Sequence, residues 1–172
     1  MEEQVVNICV GGTFSPLHSG HLELLREAFR RGRRVWVGLT SDEMAKRGRR
    51  RLVESFVCRK EVLENVLLGL SRECSVPYTI MEINDRYGFA TMPEIDSIVV
   101  SEETECTVDE IDEMRSRKGI PRLKRFVIGM VTDSNGVGIS STRVASGEID
   151  LEGNPLNGPS GKGMKGGLKG DV

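Results

Sequence analysis

Val5-Val6-Asn7-Ile8-Cys9-Val10-Gly11-Gly12-Thr13-Phe14-Ser15-Pro16-Leu17-His18-Ser19-Gly20-His21 is the stretch that decides the fold. Its first six residues form a short apolar run that stops at two glycines, the mark of a buried strand. From about Ser19 to Arg31, Leu22, Leu25, Ala28 and Phe29 recur at helical spacing. The stretch therefore joins a first strand to a first helix.

The pattern continues outward from there. Arg33-Arg34 leads into a second strand, Val35 to Leu39. Ser41 can cap a short helix with Asp42 and Glu43 in its first turn. A longer helix from near Arg59 to Arg72 shows an apolar face of Val62, Leu63, Val66, Leu67 and Leu70. Pro77 to Ile83 and Ile95 to Val100 read as strands. Thr104 caps a helix to about Lys118, Leu123 to Met130 is the last strand, and Ser140 opens a final short helix. Strands alternating with helices predict an α/β parallel sheet covered on both faces. Ligands of such sheets sit beyond the carboxyl ends of the strands, where strand order reverses. That places Gly11 to His21, Thr40 to Lys46, Ser101 to Thr104 and Gly129 to Arg143 at the functional edge.

The remaining sequence bounds the reading. A chain of 172 residues suits one domain, taken as 1–152, with a disordered tail over 153–172. That tail is glycine-rich, carries Lys162, Lys165 and Lys169, and has little apolar content with which to offset ordering entropy. Its run Gly158 to Gly163 is no P-loop, because no Ser or Thr follows Lys162 and no strand precedes it. Charge is balanced at 24 basic against 26 acidic residues, which excludes a generally basic nucleic-acid coat. No apolar run reaches the roughly 18 residues of a membrane span. Met1-Glu2-Glu3-Gln4 is polar and acidic, so a cytoplasmic protein is expected rather than a secreted one. Cys9, Cys58, Cys74 and Cys106 form no CxxC pair and are expected to be buried, reduced thiols.

The chain's two histidines, His18 and His21, both fall in the first loop. An HxxH pair could serve zinc, but the loop holds no third ligand. A phosphate fits better. Backbone N–H groups at a helix start favour anions, and Gly11, Gly12 and Gly20 permit close approach. Two imidazoles, largely uncharged near neutrality, still offer N–H donors to a phosphate whose charge is shifting. Ile139-Ser140-Ser141-Thr142-Arg143 supplies a second set: three hydroxyls and a guanidinium suited to the outer phosphates of a nucleotide.

Gly12-Thr13-Phe14, His18-Ser19-Gly20-His21 and Ile139-Ser140-Ser141-Thr142-Arg143 resemble the HxGH and ISSTR motifs of the nucleotidyltransferase superfamily. More closely, the chain is similar to the archaeal phosphopantetheine adenylyltransferases. The supporting segments are Val37 to Glu43, Gly88 to Thr91, Val99 to Thr104 and Gly147 to Asp150. The resemblance runs from about Val5 to Gly153. Ser15 departs from it where aspartate is common, and Asp112 where asparagine is frequent.

The resemblance implies a Rossmann-like doubly wound parallel sheet of about five strands with helices on both faces. It implies transfer of the adenylyl group of ATP to 4'-phosphopantetheine, with Mg²⁺ carried by the ATP. ATP would be held by Gly12, Thr13, Phe14, His18, Gly20, His21, Gly129, Ser140, Ser141, Thr142 and Arg143, with His18, His21 and Lys46 catalytic. Thr13, Phe14 and Lys46 would hold the acceptor. Lys46 lies in a basic stretch from Arg26 to Arg51, most of whose arginines are read as a solvated face. Neither nucleic acid nor a membrane is expected as a partner.

Two other readings stay open. The phosphate motifs fit other acceptors equally well, such as nicotinamide mononucleotide, flavin mononucleotide or glycerol 3-phosphate. A non-catalytic nucleotide-binding module would keep the fold without turnover. A dinucleotide oxidoreductase is disfavoured, because Gly11-Gly12-Thr13 is not GxGxxG.

Overall fold

A computed structural model describes residues 5–49 and 51–156. Five strands, β1 (Val5–Gly12), β2 (Gly32–Thr40), β3 (Tyr78–Ile83), β4 (Ser97–Ser101) and β5 (Lys124–Ile128), form one sheet. The helices among the described residues are α1 (Ser19–Arg31), α2 (Asp42–Lys46), α3 (Phe56–Cys74), α4 (Cys106–Arg117) and α5 (Ser141–Ala145), with a 3₁₀ turn over Gly88–Thr91. Strand order is β3-β2-β1-β4-β5 and every pairing is parallel. This is the doubly wound α/β sheet of five strands that was expected, with its order reversing between β1 and β4.

Alternation along β1 sorts the core into two layers. Ile8 and Val10 turn toward α1 and α3, where they meet Leu25, Phe29, Leu63 and Leu67. Cys9 turns the other way, toward Ile98, Val100, Val108 and Ile111. Each fully buried side chain of this size contributes about 1.5–3 kcal/mol, so both faces need their helices. On the second face, buried Arg115 donates to the carbonyls of Pro121, Ala90, Met92 and Ile95, fixing the 3₁₀ turn against the entry to β4. Asp112 accepts from the Leu123 N–H and from Arg125, which anchors the entry to β5.

Several boundaries differ from the sequence reading. α3 starts at Phe56, before Arg59, because the Ser55 hydroxyl accepts from the Cys58 N–H at 3.4 Å and caps it there. Thr104 is not the cap of α4; its hydroxyl bonds back to Ser101, and Glu105 occupies the cap position without a side-chain bond. β5 ends at Ile128 because its partner β4 ends opposite, at Ser101. All four cysteines are free, but only Cys9 is buried; Cys58, Cys74 and Cys106 are exposed.

Residues 153–156, assigned to the tail, fold back instead. Asn154 bonds Asp150 through backbone and side chain, and the Leu156 N–H donates to Glu148. Gly153 turns at φ 92, where a Cβ would lie 2.4 Å from Ile139 Cδ1. The rest of the expected tail, 157–172, lies outside the described residues. No helix among the described residues is long and apolar enough to cross a membrane.

Candidate active site

The loop after β1 ends in a capping box built from the two histidines. His18 is the N-cap of α1, and its Nδ1 accepts from the Gly20 N–H at 3.2 Å. His21, three positions on, returns the favour: its Nδ1 accepts from the His18 N–H at 3.3 Å. The rings stack with centroids 3.9 Å apart. Gly20 leaves the ring room for this, since a Cβ there would sit 3.0 Å from Cε1 and 3.1 Å from Nδ1 of His18.

This geometry fixes the protons. A neutral ring that accepts at Nδ1 carries its hydrogen on Nε2. Burial, assisted by the Arg51 charge, pulls the His18 pKa down to about 4. Burial, then His18, then Arg51 pull His21 down to about 3. Both rings are therefore neutral at pH 7. Neither Nε2 has a partner among the described residues, yet no buried side-chain polar atom lacks one. Both Nε2–H groups thus reach accessible space.

They line a cavity of about 370 Å³ at the carboxyl ends of β1, β4 and β5, beside the strand-order reversal. From the first loop it takes Gly12, Thr13, Phe14, His18, Gly20 and His21. Gly129 lines it after β5, and Ser140, Ser141 and Thr142 close it from the start of α5. The two motifs, far apart in sequence, thus share one chamber. The Ser141 hydroxyl joins them directly, donating to the Pro16 carbonyl at 3.3 Å.

Two expected residues stay outside the cavity. Lys46 is exposed: Ala45 is the buried side of α2, and the next position around the helix faces solvent. Arg143 is a strut. Its donors reach Asp133, Glu148 and the carbonyls of Val137 and Gly138, holding the 133–138 loop against α5. The Glu148 and Asp133 carboxylates raise its pKa, and Arg143 in turn lowers that of Asp133.

Other residues enter that the motifs did not name. Arg49 and Arg51 line the cavity, as do Ser101 to Thr104. Arg59 supports the loop from behind. It is buried, and it donates to the carbonyls of Thr13 and Glu54, to Thr40 Oγ1 and to Asp42. Ser15 bonds Glu54, so the departure from aspartate leaves this position buried and partnered rather than facing the cavity. Among the described residues, no group of three or more His, Cys, Asp and Glu side chains converges as a metal-binding set.

The doubly wound sheet and the HxGH loop at its switch point go with relatives that are nucleotidyltransferases. The Cytidylyltransferase-like family model matches residues 9–147, and the chain belongs to that family. It is 40% identical over 151 residues to the phosphopantetheine adenylyltransferase of Methanothermobacter thermautotrophicus, covering 87% of this chain and 89% of that one. It is 37% identical over 150 residues to the Pyrococcus horikoshii protein of the same name, covering 87% and 94%. Among solved structures, an Archaeoglobus fulgidus protein described as of unknown function superposes with a TM-score of 0.62 at 29% identity, over 78% of this chain and all but 1% of its own. The Plasmodium falciparum nicotinic acid mononucleotide adenylyltransferase shares the fold at a TM-score of 0.54 and 16% identity, over 85% of each chain.

Proposed function

We propose that the protein transfers the adenylyl group of ATP to 4'-phosphopantetheine, giving 3'-dephospho-coenzyme A and pyrophosphate in coenzyme A synthesis in the cytoplasm. The carrying observation is the pair of neutral imidazoles, each with a free Nε2–H, in a cavity that also holds the Ser140 to Thr142 hydroxyls. The choice of acceptor rests on relatives of that name matched over most of the chain.

The nucleophile is a phosphate monoester, ionised at neutral pH with a second pKa near 6. It needs no base to attack. Its oxygen bonds to the α-phosphorus of ATP as the bond to the β-phosphate bridging oxygen breaks, and pyrophosphate leaves with that electron pair. Catalysis then reduces to alignment and charge stabilisation. His18 and His21 donate to the transferring phosphoryl group, where negative charge is redistributing. Because they are neutral, they lose no proton in doing so. Gly12, Gly20 and Gly129 keep the wall low enough for phosphate to approach. Ser140, Ser141 and Thr142 receive the departing pyrophosphate. Thr13 and the Phe14 amide position the acceptor phosphate, on a backbone braced by Arg59. ATP arrives as its magnesium complex, with the ion held chiefly by phosphate oxygens.

Pyrophosphate release from ATP and CTP, measured against a panel of phosphorylated acceptors, tests this. ATP with 4'-phosphopantetheine should give the highest kcat/KM. Preference for nicotinamide mononucleotide, flavin mononucleotide or glycerol 3-phosphate would replace the acceptor, and no turnover with any of them would overturn the activity.

A further inference from the structure

The first loop owes the direction of its donors to groups behind it. Arg59 does not line the cavity; it borders a separate groove that shares Phe14 with it. From there its Nη1 donates to two acceptors, the Thr13 carbonyl and Thr40 Oγ1, at 3.2 Å each. We propose that Arg59 and Thr40 are positioning residues for the reaction: through these two bonds they aim the Phe14 N–H and the Thr13 hydroxyl at the acceptor phosphate. The identity of that phosphate rests on the adenylyl-transfer reading.

The first bond sets the backbone donor. The peptide between Thr13 and Phe14 is trans, so its C=O and N–H point in opposite directions. Arg59 holds the carbonyl inward, which turns the N–H away from the buried guanidinium, and both residues line the cavity. That N–H has no partner among the described residues. Phe14 takes φ 50, in the left-handed region that a bulky side chain rarely adopts. A loop without the Arg59 bond would relax out of that conformation and take the N–H with it.

The second bond sets the side-chain donor. A guanidinium can only donate. Thr40 Oγ1 therefore accepts from Arg59 and gives its own hydrogen to Thr13 Oγ1, 3.1 Å away. With that oxygen already accepting, the Thr13 hydrogen is left for a group in the cavity. Thr13, Thr40 and Arg59 are all buried, so water does not compete for the chain, and each bond in it polarises the next. Asp42 fixes the far end. Its Oδ1 accepts from Arg59 Nη2 at 3.1 Å and from the Phe56 N–H at 2.6 Å, tying the guanidinium to the start of α3. Two hydrogens offered by adjacent residues, with no acceptor between them, suit an ionised phosphate.

Steady-state kinetics with each substrate varied separately test the relay. Thr40→Val removes its hydroxyl at nearly constant shape and should raise acceptor KM about 3–10-fold, leaving ATP KM within about 2-fold. Thr40→Ser restores the hydroxyl and should keep acceptor KM within about 2-fold of the parent. Thr13→Val removes the last donor itself and should raise acceptor KM about 10–100-fold. In that background Thr40→Val should add less than about 2-fold, because Thr40 acts through Thr13. The same loss in both backgrounds would make Thr40 a packing residue and overturn its part. Arg59→Lys keeps the charge without the fork, and should raise acceptor KM more than Thr40→Val because the Phe14 N–H loses its aim as well. A folded Arg59→Lys protein with the parent's acceptor KM overturns Arg59's part.

Two measurements on the parent need no variant to fold. Titration with 4'-phosphopantetheine should move the Phe14 amide proton downfield, and an unmoved amide overturns the backbone half. Neutron diffraction from the deuterated protein should place the Thr40 deuterium between the two threonine oxygens and the Thr13 deuterium toward the cavity. A deuterium on Thr13 directed at Thr40 overturns the relay. If no acceptor supports turnover, the adenylyl-transfer reading fails, while the neutron map still decides whether Arg59 and Thr40 commit Thr13 as a donor.

Discussion

Replacing Gly20 with alanine isolates the histidine geometry from everything else. Gly20 sits in the first turn of α1 with an ordinary helical backbone, so alanine is allowed and gains up to about 1 kcal/mol in helix propensity. The new Cβ, however, would lie 3.0 Å from His18 Cε1 and 3.1 Å from Nδ1, so the ring must retreat by several tenths of an ångström. That retreat stretches the 3.2 Å bond from the Gly20 N–H and costs about 0.5–1.5 kcal/mol, so the two terms nearly cancel. The thermal midpoint should stay within about 4 °C of the parent. Catalysis has no such compensation. A misplacement of about 1 Å costs on the order of 100-fold, so a shift of a third to a half of that should lower kcat about 10-fold. Pyrophosphate release gives kcat, calorimetry gives the ATP Kd, and the ¹⁵N shift of His18 Nδ1 reports the ring. A kcat within two-fold of the parent although the Nδ1 shift reports a broken bond would refute the claim that His18 acts by its position.

His18→Ala should lower kcat by about 100–1,000-fold, the usual cost of one preorganised donor, with ATP Kd changed much less. It should also lose about 1 kcal/mol through the missing cap, so a thermal midpoint far lower than that would point to a structural histidine instead. The depressed imidazole pKa values give a pH dependence of defined sign. Above pH 6.5 both rings are neutral folded or unfolded and contribute nothing. As pH falls from 6.5 toward 4 the unfolded chain binds protons first, and stability drops by up to about 1.4 kcal/mol per pH unit for each ring. Denaturant titrations at several pH values check this, and an NMR midpoint near 6.5 for either histidine would contradict it. Arg59→Met should cost about 2–4 kcal/mol, because it strands the buried Thr13 carbonyl and loses the bonds to Glu54 and Asp42, and should raise acceptor KM through the loosened Thr13 loop. Urea denaturation and acceptor KM read the two effects separately.

The sheet was legible because β1, β2 and β4 are short apolar runs and their helices keep a 3.6-residue period. That both motifs line one cavity was legible because their residues stand consecutively, so that reading one loop reads one wall. What was not legible was which side of a short helix a residue takes. Lys46 and Arg49 both follow β2 in a run of basic residues, and only the burial of Ala45 shows that the first turns outward. The same applies to Arg143. Its type and place suit a phosphate, but Asp133 and Glu148, which claim its donors, are loop residues that no periodicity aligns with it. Arg59 looked like the first residue of a helix; its contacts run to Thr13 and Thr40, whose nearness is a property of the sheet register. Thr104 shows the smaller version of the problem, since a threonine before a helix can bond backward as readily as forward.

The Ser19 N–H and hydroxyl both donate to the carbonyl of Leu151, at 2.9 and 3.1 Å. Leu151 is held in turn by the Asp150 to Asn154 turn. The start of the histidine helix is therefore secured by nearly the last described residues of the domain. On the ribosome, the loop that bears His18 emerges long before that distant turn and waits, its helix unanchored, until the turn has been made. β1 waits as well, because its second neighbour, β4, is encoded far downstream. A nascent chain halted before Leu151 would carry both motifs and the Ser141 contact to Pro16, and still lack the latch on the start of α1. Nucleotide binding should consequently appear only once Leu151 has been made, and abruptly, and a fusion or nick that separates Ser19 from Leu151 should abolish it even where the sheet remains whole.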